Sequence, residues 1–133
     1  MGLLGDLLKS KRRILVADDN PAVRDLVSDV LSAEGFSVTA TKDGQEALEA
    51  FAPDKFDLLI LDVHMPKLEG PELLAKIRAL PGGKEQAVMM LTSEKLSGTI
   101  AKVFELNAAE YMFKPFQVTD LLLKVNASLP PPK

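Results

Sequence analysis

The chain has 133 residues, is 47% hydrophobic, carries a formal charge of −3 and contains one histidine and no cysteine. This length closes one domain around its own core, while the missing cysteine excludes disulfides, thiolate metal centres and a cysteine nucleophile. A single imidazole nearly excludes zinc, the acidic balance gives no basic footprint for direct DNA binding, and no run reaches the about 20 apolar residues of a transmembrane segment.

Such a composition suits the reducing cytoplasm. Residues 1–11 form an N-terminal extension in which Leu3, Leu4, Leu7 and Leu8 recur at helical spacing, so a short amphipathic helix is expected there. The extension has no small-residue cleavage site, and Asp6 stands where a myristoylation signal needs Ser or Thr. "RILVA" (13–17) is a short apolar run, predicted as a buried strand, that stops at Asp18-Asp19. Asn20 as N-cap and Pro21 at the first helical position open a helix. Val23, Leu26, Val27, Val30 and Leu31 give it one apolar face, and Gly35 closes it as C-cap. "FSVTA" (36–40) alternates as a strand near a sheet edge does. Asp43 with Glu46 makes a capping box for a helix that turns Ala47, Leu48 and Phe51 inward.

The third strand, 57–61, runs straight into Asp62, and Pro66 and Gly70 break the chain after it. Leu73, Leu74 and Ile77 supply the buried face of the next helix. "AVMML" (87–91) is the fourth strand, ending at Thr92. Leu96, Ile100, Val103, Phe104 and Asn107 repeat helically after it, in a helix whose start is loosened by Gly98 and the polar "SEKLSGT". "EYMF" (110–113) is the fifth strand, ending at Lys114-Pro115. Val118, Leu121, Leu122 and Val125 mark the last helix, and residues 129–133 form a proline-rich tail or linker start. Met89, Met90 and Met112 are expected to fill core gaps.

Five strands alternating with helices imply a doubly wound (βα)5 sheet, parallel, with helices on both faces. Right-handed crossovers then gather every strand-to-helix loop at the carboxyl edge, where ligands bind in this architecture. That edge collects Asp18, Asp19, Asp62, Thr92 and Lys114. Unit charges 4 Å apart repel by about 4 kcal/mol at an effective dielectric near 20, so three clustered carboxylates need cations to stay ionised. Lys114 supplies one. An all-oxygen site with few protein ligands suits Mg²⁺, with Mn²⁺ as a substitute. Mg²⁺ so held serves phosphoryl chemistry, Asp62 can act as nucleophile, and Thr92 and Lys114 can hold phosphoryl oxygens.

With "ILVADDNP", "LLILDVHMPKLEG", "VMMLTS" and "EYMFKPF" in this order and spacing, residues 12–128 resemble the receiver domain of bacterial two-component response regulators, of the single-domain chemotaxis type. The resemblance implies a flavodoxin-like three-layer sandwich with strand order 2-1-3-4-5. It makes Asp62 the phosphoacceptor, charged from a phosphohistidine of a sensor histidine kinase or a histidine phosphotransfer protein. Asp18 and Asp19 become the Mg²⁺-holding pair, Asp19 the more direct ligand, joined by Asp62 and the backbone carbonyl of His64. Thr92 and Lys114 sense the phosphoryl group, Tyr111 is the aromatic switch partner of Thr92, and Lys114-Pro115 matches the family's cis peptide. His64 and Glu94, two residues beyond Asp62 and Thr92, fall where receivers tune dephosphorylation. Asn107 and Ala108 depart from the usual Gly-Ala pair, a packing change that touches no site residue.

The same likeness implies output through the face formed by the fourth helix of the pattern, the fifth strand and the fifth helix. The chain shows no helix-turn-helix, so it is expected either to stand alone or to continue past "LPPPK" into an output domain; a phosphorylation-dependent dimer stays open. Three other readings compete. A haloacid dehalogenase-type phosphatase needs a second Asp where His64 stands. A flavodoxin-like carrier fails because "DDNP" would repel a phosphate. A non-phosphorylated pseudo-receiver acting as a docking module has the intact set Asp18, Asp19, Asp62, Thr92 and Lys114 against it.

Overall fold

A computed structural model describes residues 11–93 and 110–131. Five strands, β1 (Arg13–Ala17), β2 (Ser37–Thr41), β3 (Leu58–Asp62), β4 (Val88–Thr92) and β5 (Glu110–Phe113), form one parallel sheet in the order β2-β1-β3-β4-β5. The described helices are α1 (Pro21–Ala33), α2 (Gly44–Ala50), α3 (Gly70–Arg78) and α4 (Val118–Ser128). The helix expected from Leu96 to Asn107 falls outside the described residues, as do Gly98 and the leucines of the N-terminal extension. No described helix is long and apolar enough to cross a membrane.

Period-two alternation along the strands builds a core on each face of the sheet. Leu15, Leu59, Leu61 and Met90 pack against Ala47 of α2 and Leu73, Leu74 and Ile77 of α3. Ile14, Leu58, Ile60, Met89 and Leu91 pack on the other face against Val27 and Leu31 of α1 and Leu121 and Val125 of α4. Leu58, Leu59, Ile60 and Leu61 are completely buried. At about 1.5–3 kcal/mol for each buried aliphatic side chain, these four outweigh the cost of seating one carboxylate at the end of their strand.

The helix termini follow the expected chemistry with small displacements. Asn20 caps α1, its Oδ1 accepting from the Ala22 N–H at 2.9 Å. Glu34 rather than Gly35 is the C-cap; Gly35 stands one residue beyond it, where its N–H reaches Ser32 O at 3.0 Å and the Phe36 N–H reaches Leu31 O at 3.1 Å. Asp43 caps α2 through the Glu46 N–H, and Glu46 answers by accepting from the Lys42 N–H instead of that of Asp43. Leu26 and Val118, assigned to buried faces by their spacing, are 43% and 39% exposed. Both sit at the margin of an apolar stripe.

Candidate functional site

Because the strands are parallel, the residues that end β1, β3, β4 and β5 meet at one edge of the sheet. Asp18 is fully buried behind β1, Asp62 and Thr92 are nearly so, and Asp19 is exposed. Asp18, Asp19 and Asp62 each bring one oxygen within 4.8 Å of the others. Lys114 closes the group, its Nζ 2.8 Å from Asp18 Oδ2 and 3.3 Å from Asp62 Oδ1. The loop after β1 is fixed from three sides. The Asn20 N–H donates to Asp18 Oδ1 at 2.9 Å, Arg24 Nη1 donates to Asp18 O at 3.1 Å, and the Asp18 N–H donates to Thr41 O at 3.2 Å.

The charges do not balance within this group. Burial, then the charge of Asp18, push the Asp62 carboxyl from 3.8 up to about 7, against the opposing pull of Lys114. Burial by itself would lower the Lys114 ammonium; its hydrogen bond to Asp18 and the charges of Asp62 and Asp18 prevail and hold it above its ordinary value. Three carboxylates facing one ammonium thus leave room for further positive charge.

The loop after β3 is tied back on the end of that strand. The Gly70 N–H donates to Val63 O at 2.8 Å, which brings the first residue of α3 against the end of β3. A Cβ at Gly70 would lie 2.3 Å from the Asp62 carbonyl oxygen and 2.8 Å from Met90 Cε. The position tolerates no side chain without moving the backbone of Asp62. Gly70→Ala is therefore expected to destabilise the fold by about 1–3 kcal/mol, read as a lower urea midpoint with an unchanged slope.

The other expected residues divide by location. Thr92 ends β4, and the Lys114 N–H donates to its carbonyl at 2.7 Å, so the hydroxyl-bearing and ammonium-bearing residues are joined through their backbones. Tyr111 is half-buried, packs on the core beneath α2 and α3, and meets the Phe113 ring edge-on at 5.5 Å. The Lys114–Pro115 peptide is cis. His64 points its imidazole outward, with Nδ1 3.6 Å from Glu69 Oε2. Glu94 lies outside the described residues. Two participants were not singled out from the sequence. Arg24 carries only the signal of its place one turn into α1. Asp43 looked like a plain cap, yet it is buried and faces Lys67.

Comparison with known proteins agrees with this architecture. The family model for the response regulator receiver domain matches residues 14–126. Response regulator MprA of Mycolicibacterium vanbaalenii is 37% identical over 117 residues, 88% of this chain and 50% of its own length; its counterpart in Mycobacterium leprae is 38% identical over the same extent. The chain spans about half the length of these curated relatives. Among solved structures, Vibrio cholerae chemotaxis protein CheY4 superposes with a TM-score of 0.85 at 30% identity, covering 90% of this chain and 100% of that one. The receiver domain of sensor histidine kinase PA1611 from Pseudomonas aeruginosa, described with a magnesium ion in its active-site cleft, gives a TM-score of 0.81 at 25% identity over 90% and 98% of the two chains. The chain belongs to the response regulator receiver domain family, the phosphoacceptor modules of two-component signalling.

Proposed function

We propose that this receiver accepts a phosphoryl group onto Asp62 from the phosphohistidine of a sensor histidine kinase or histidine phosphotransfer protein. What carries the reading is Asp62 itself: a carboxylate at the end of a central strand, shared between two acids and one ammonium, with its charge only partly compensated. The donor set fits a hard divalent ion, since it offers few ligands and all of them oxygen. Asp19, Asp18, Asp62 and the backbone carbonyl of His64 would hold Mg²⁺ or Mn²⁺. When bound, the ion supplies positive charge that favours ionised Asp62 and offsets the phosphoryl oxygens.

The chain's own residues do the rest. An Asp62 oxygen forms the new P–O bond as the P–N bond of the phosphohistidine breaks, and the imidazole departs with the electron pair and takes up a proton. Lys114 and the Thr92 hydroxyl each hold a phosphoryl oxygen, replacing contacts they make without it. Water later attacks phosphorus, and the Asp62 carboxylate leaves; His64 and Glu94, two residues beyond Asp62 and Thr92 in sequence, tune its rate. Reorientation of Thr92 lets Tyr111 turn inward, which changes the surface that β5 and α4 present. A groove lined by Phe113, Pro115, Phe116 and Leu123 lies on that surface, a seat for a partner protein or attached output domain.

The test is intact-mass measurement of the chain incubated with acetyl phosphate. One phosphoryl adduct that requires Mg²⁺ and is lost with a chelator is the expected result. No adduct from acetyl phosphate or from a phosphorylated histidine kinase overturns the reading in favour of a docking module.

A further inference from the structure

The loop between β3 and α3 contains a strained corner. Lys67 has φ +69°, and the Leu68 N–H donates across it to Pro66 O at 2.7 Å, closing a three-residue γ-turn of the rare positive-φ hand. An L side chain seldom adopts this backbone, whereas glycine adopts it freely. The lysine placed there reaches away from its own loop: its Nζ lies 3.5 Å from Oδ2 of Asp43, at the N-terminus of α2.

Asp43 is built for two tasks. Oδ1 accepts from the Glu46 N–H at 2.7 Å and caps α2, while Oδ2 faces Lys67. The Glu46 N–H foremost, and then Lys67, hold its carboxyl below the usual range, so the charge that faces the lysine is present at neutral pH. Beside it, a Cβ on Gly44 would fall 2.0 Å from the Leu68 carbonyl oxygen. The acceptor loop is therefore seated directly on the backbone of α2. The same loop, three residues before Lys67, carries His64.

We infer that Asp43 is a positioning residue for the acceptor loop: its ion pair with Lys67 latches the strained turn onto α2 and so fixes the His64 carbonyl for Mg²⁺. This rests on the phosphoacceptor reading and adds to it a residue outside the acid cluster. Strain at a functional loop persists where surroundings over-determine it, and here the over-determining contacts are the Asp43 carboxylate and the Gly44 seat. Without the charge, the loop populates relaxed conformations in which the carbonyl is misplaced, and apparent Mg²⁺ affinity falls by the fraction lost.

Two conservative substitutions separate a latch from a cap. Asp43→Asn keeps a side-chain oxygen for the Glu46 N–H but removes the charge; Lys67→Gly keeps the positive φ without needing a clamp. The readout is phosphoryl uptake from acetyl phosphate as a function of Mg²⁺, with urea unfolding alongside. Asp43→Asn is expected to raise the half-saturating Mg²⁺ about fivefold, leaving the rate at saturating Mg²⁺ and the urea midpoint near those of the wild type. Adding Lys67→Gly to Asp43→Asn is expected to restore wild-type Mg²⁺ dependence. An equal effect of Asp43→Asn with and without Lys67→Gly, or no effect at all, overturns the latch while the phosphoacceptor reading stands. A wild-type chain that takes up no phosphoryl group at any Mg²⁺ concentration overturns both.

Discussion

Asp62→Asn is expected to yield a chain that takes up no phosphoryl group and yet resists urea better than the wild type at pH 8 in the absence of divalent ions. Folding raises the Asp62 carboxyl from 3.8 to about 7, so the folded state holds this proton more tightly than the unfolded chain. Its contribution to stability is fully present below about pH 4 and is lost as pH rises through about 7. At 1.36 kcal/mol per pKa unit the difference is at most about 4 kcal/mol, reduced by the solvent that reaches the carboxylate. An amide of the same shape does not titrate and escapes the penalty. The gap between the two chains should open from pH 4 to pH 7 and level off above it. Mg²⁺ should close the gap by stabilising the wild type more than the variant. Equal urea midpoints for the two chains at pH 8 would mean that the Asp62 carboxylate carries no uncompensated charge.

Lys114→Met works in the opposite direction. It removes the ammonium that lies 2.8 Å from fully buried Asp18 and 3.3 Å from Asp62. Taking one partner from a buried ion pair costs about 3–5 kcal/mol, because the remaining charge is left without compensation. Without the opposing pull of the ammonium, Asp62 ionises less readily still in the folded state. The loss is therefore largest above neutrality and shrinks as acidification protonates Asp62. In the wild type the raised Lys114 contributes stability below its ordinary pKa of 10.5, lost only as pH rises through its higher folded value. Thermal melts at pH 5 and pH 8 check this: a deficit present at pH 8 and much reduced at pH 5 is expected. A deficit of the same size at both would point to lost packing of the lysine stem instead. Mg²⁺ should recover more stability in the variant than in the wild type, since the ion restores the missing charge.

β1, β3 and β4 were readable because buried parallel strands leave continuous apolar runs, and β2 because it alternates as an edge strand does. Their ends were displaced by one residue in β2, β3 and β4 for a common reason. Thr41, Asp62 and Thr92 are the polar residues that follow each expected segment, but their backbones stay in register with Ala17, Leu91 and Phe113. Polarity marks where a side chain changes environment, while the hydrogen-bond ladder continues beneath it. Leu26 and Val118 show the matching limit in helices, where spacing identifies a stripe without saying how far its margin is covered. Asp18, Asp62, Thr92 and Lys114 were legible as a group because topology alone brings strand ends together. Asp43 was not. Its burial and its partner depend on a turn 24 residues later whose positive φ no lysine advertises.

The site of modification on the chain is the most direct test. After incubation with acetyl phosphate and Mg²⁺, borohydride reduction converts an aspartyl phosphate to homoserine, and peptide mass mapping then locates the converted residue. Conversion at Asp62 alone is the expected result. Conversion at Asp18 or Asp19, or none anywhere in a chain that has acquired a phosphoryl adduct, would contradict the assignment of Asp62 as acceptor.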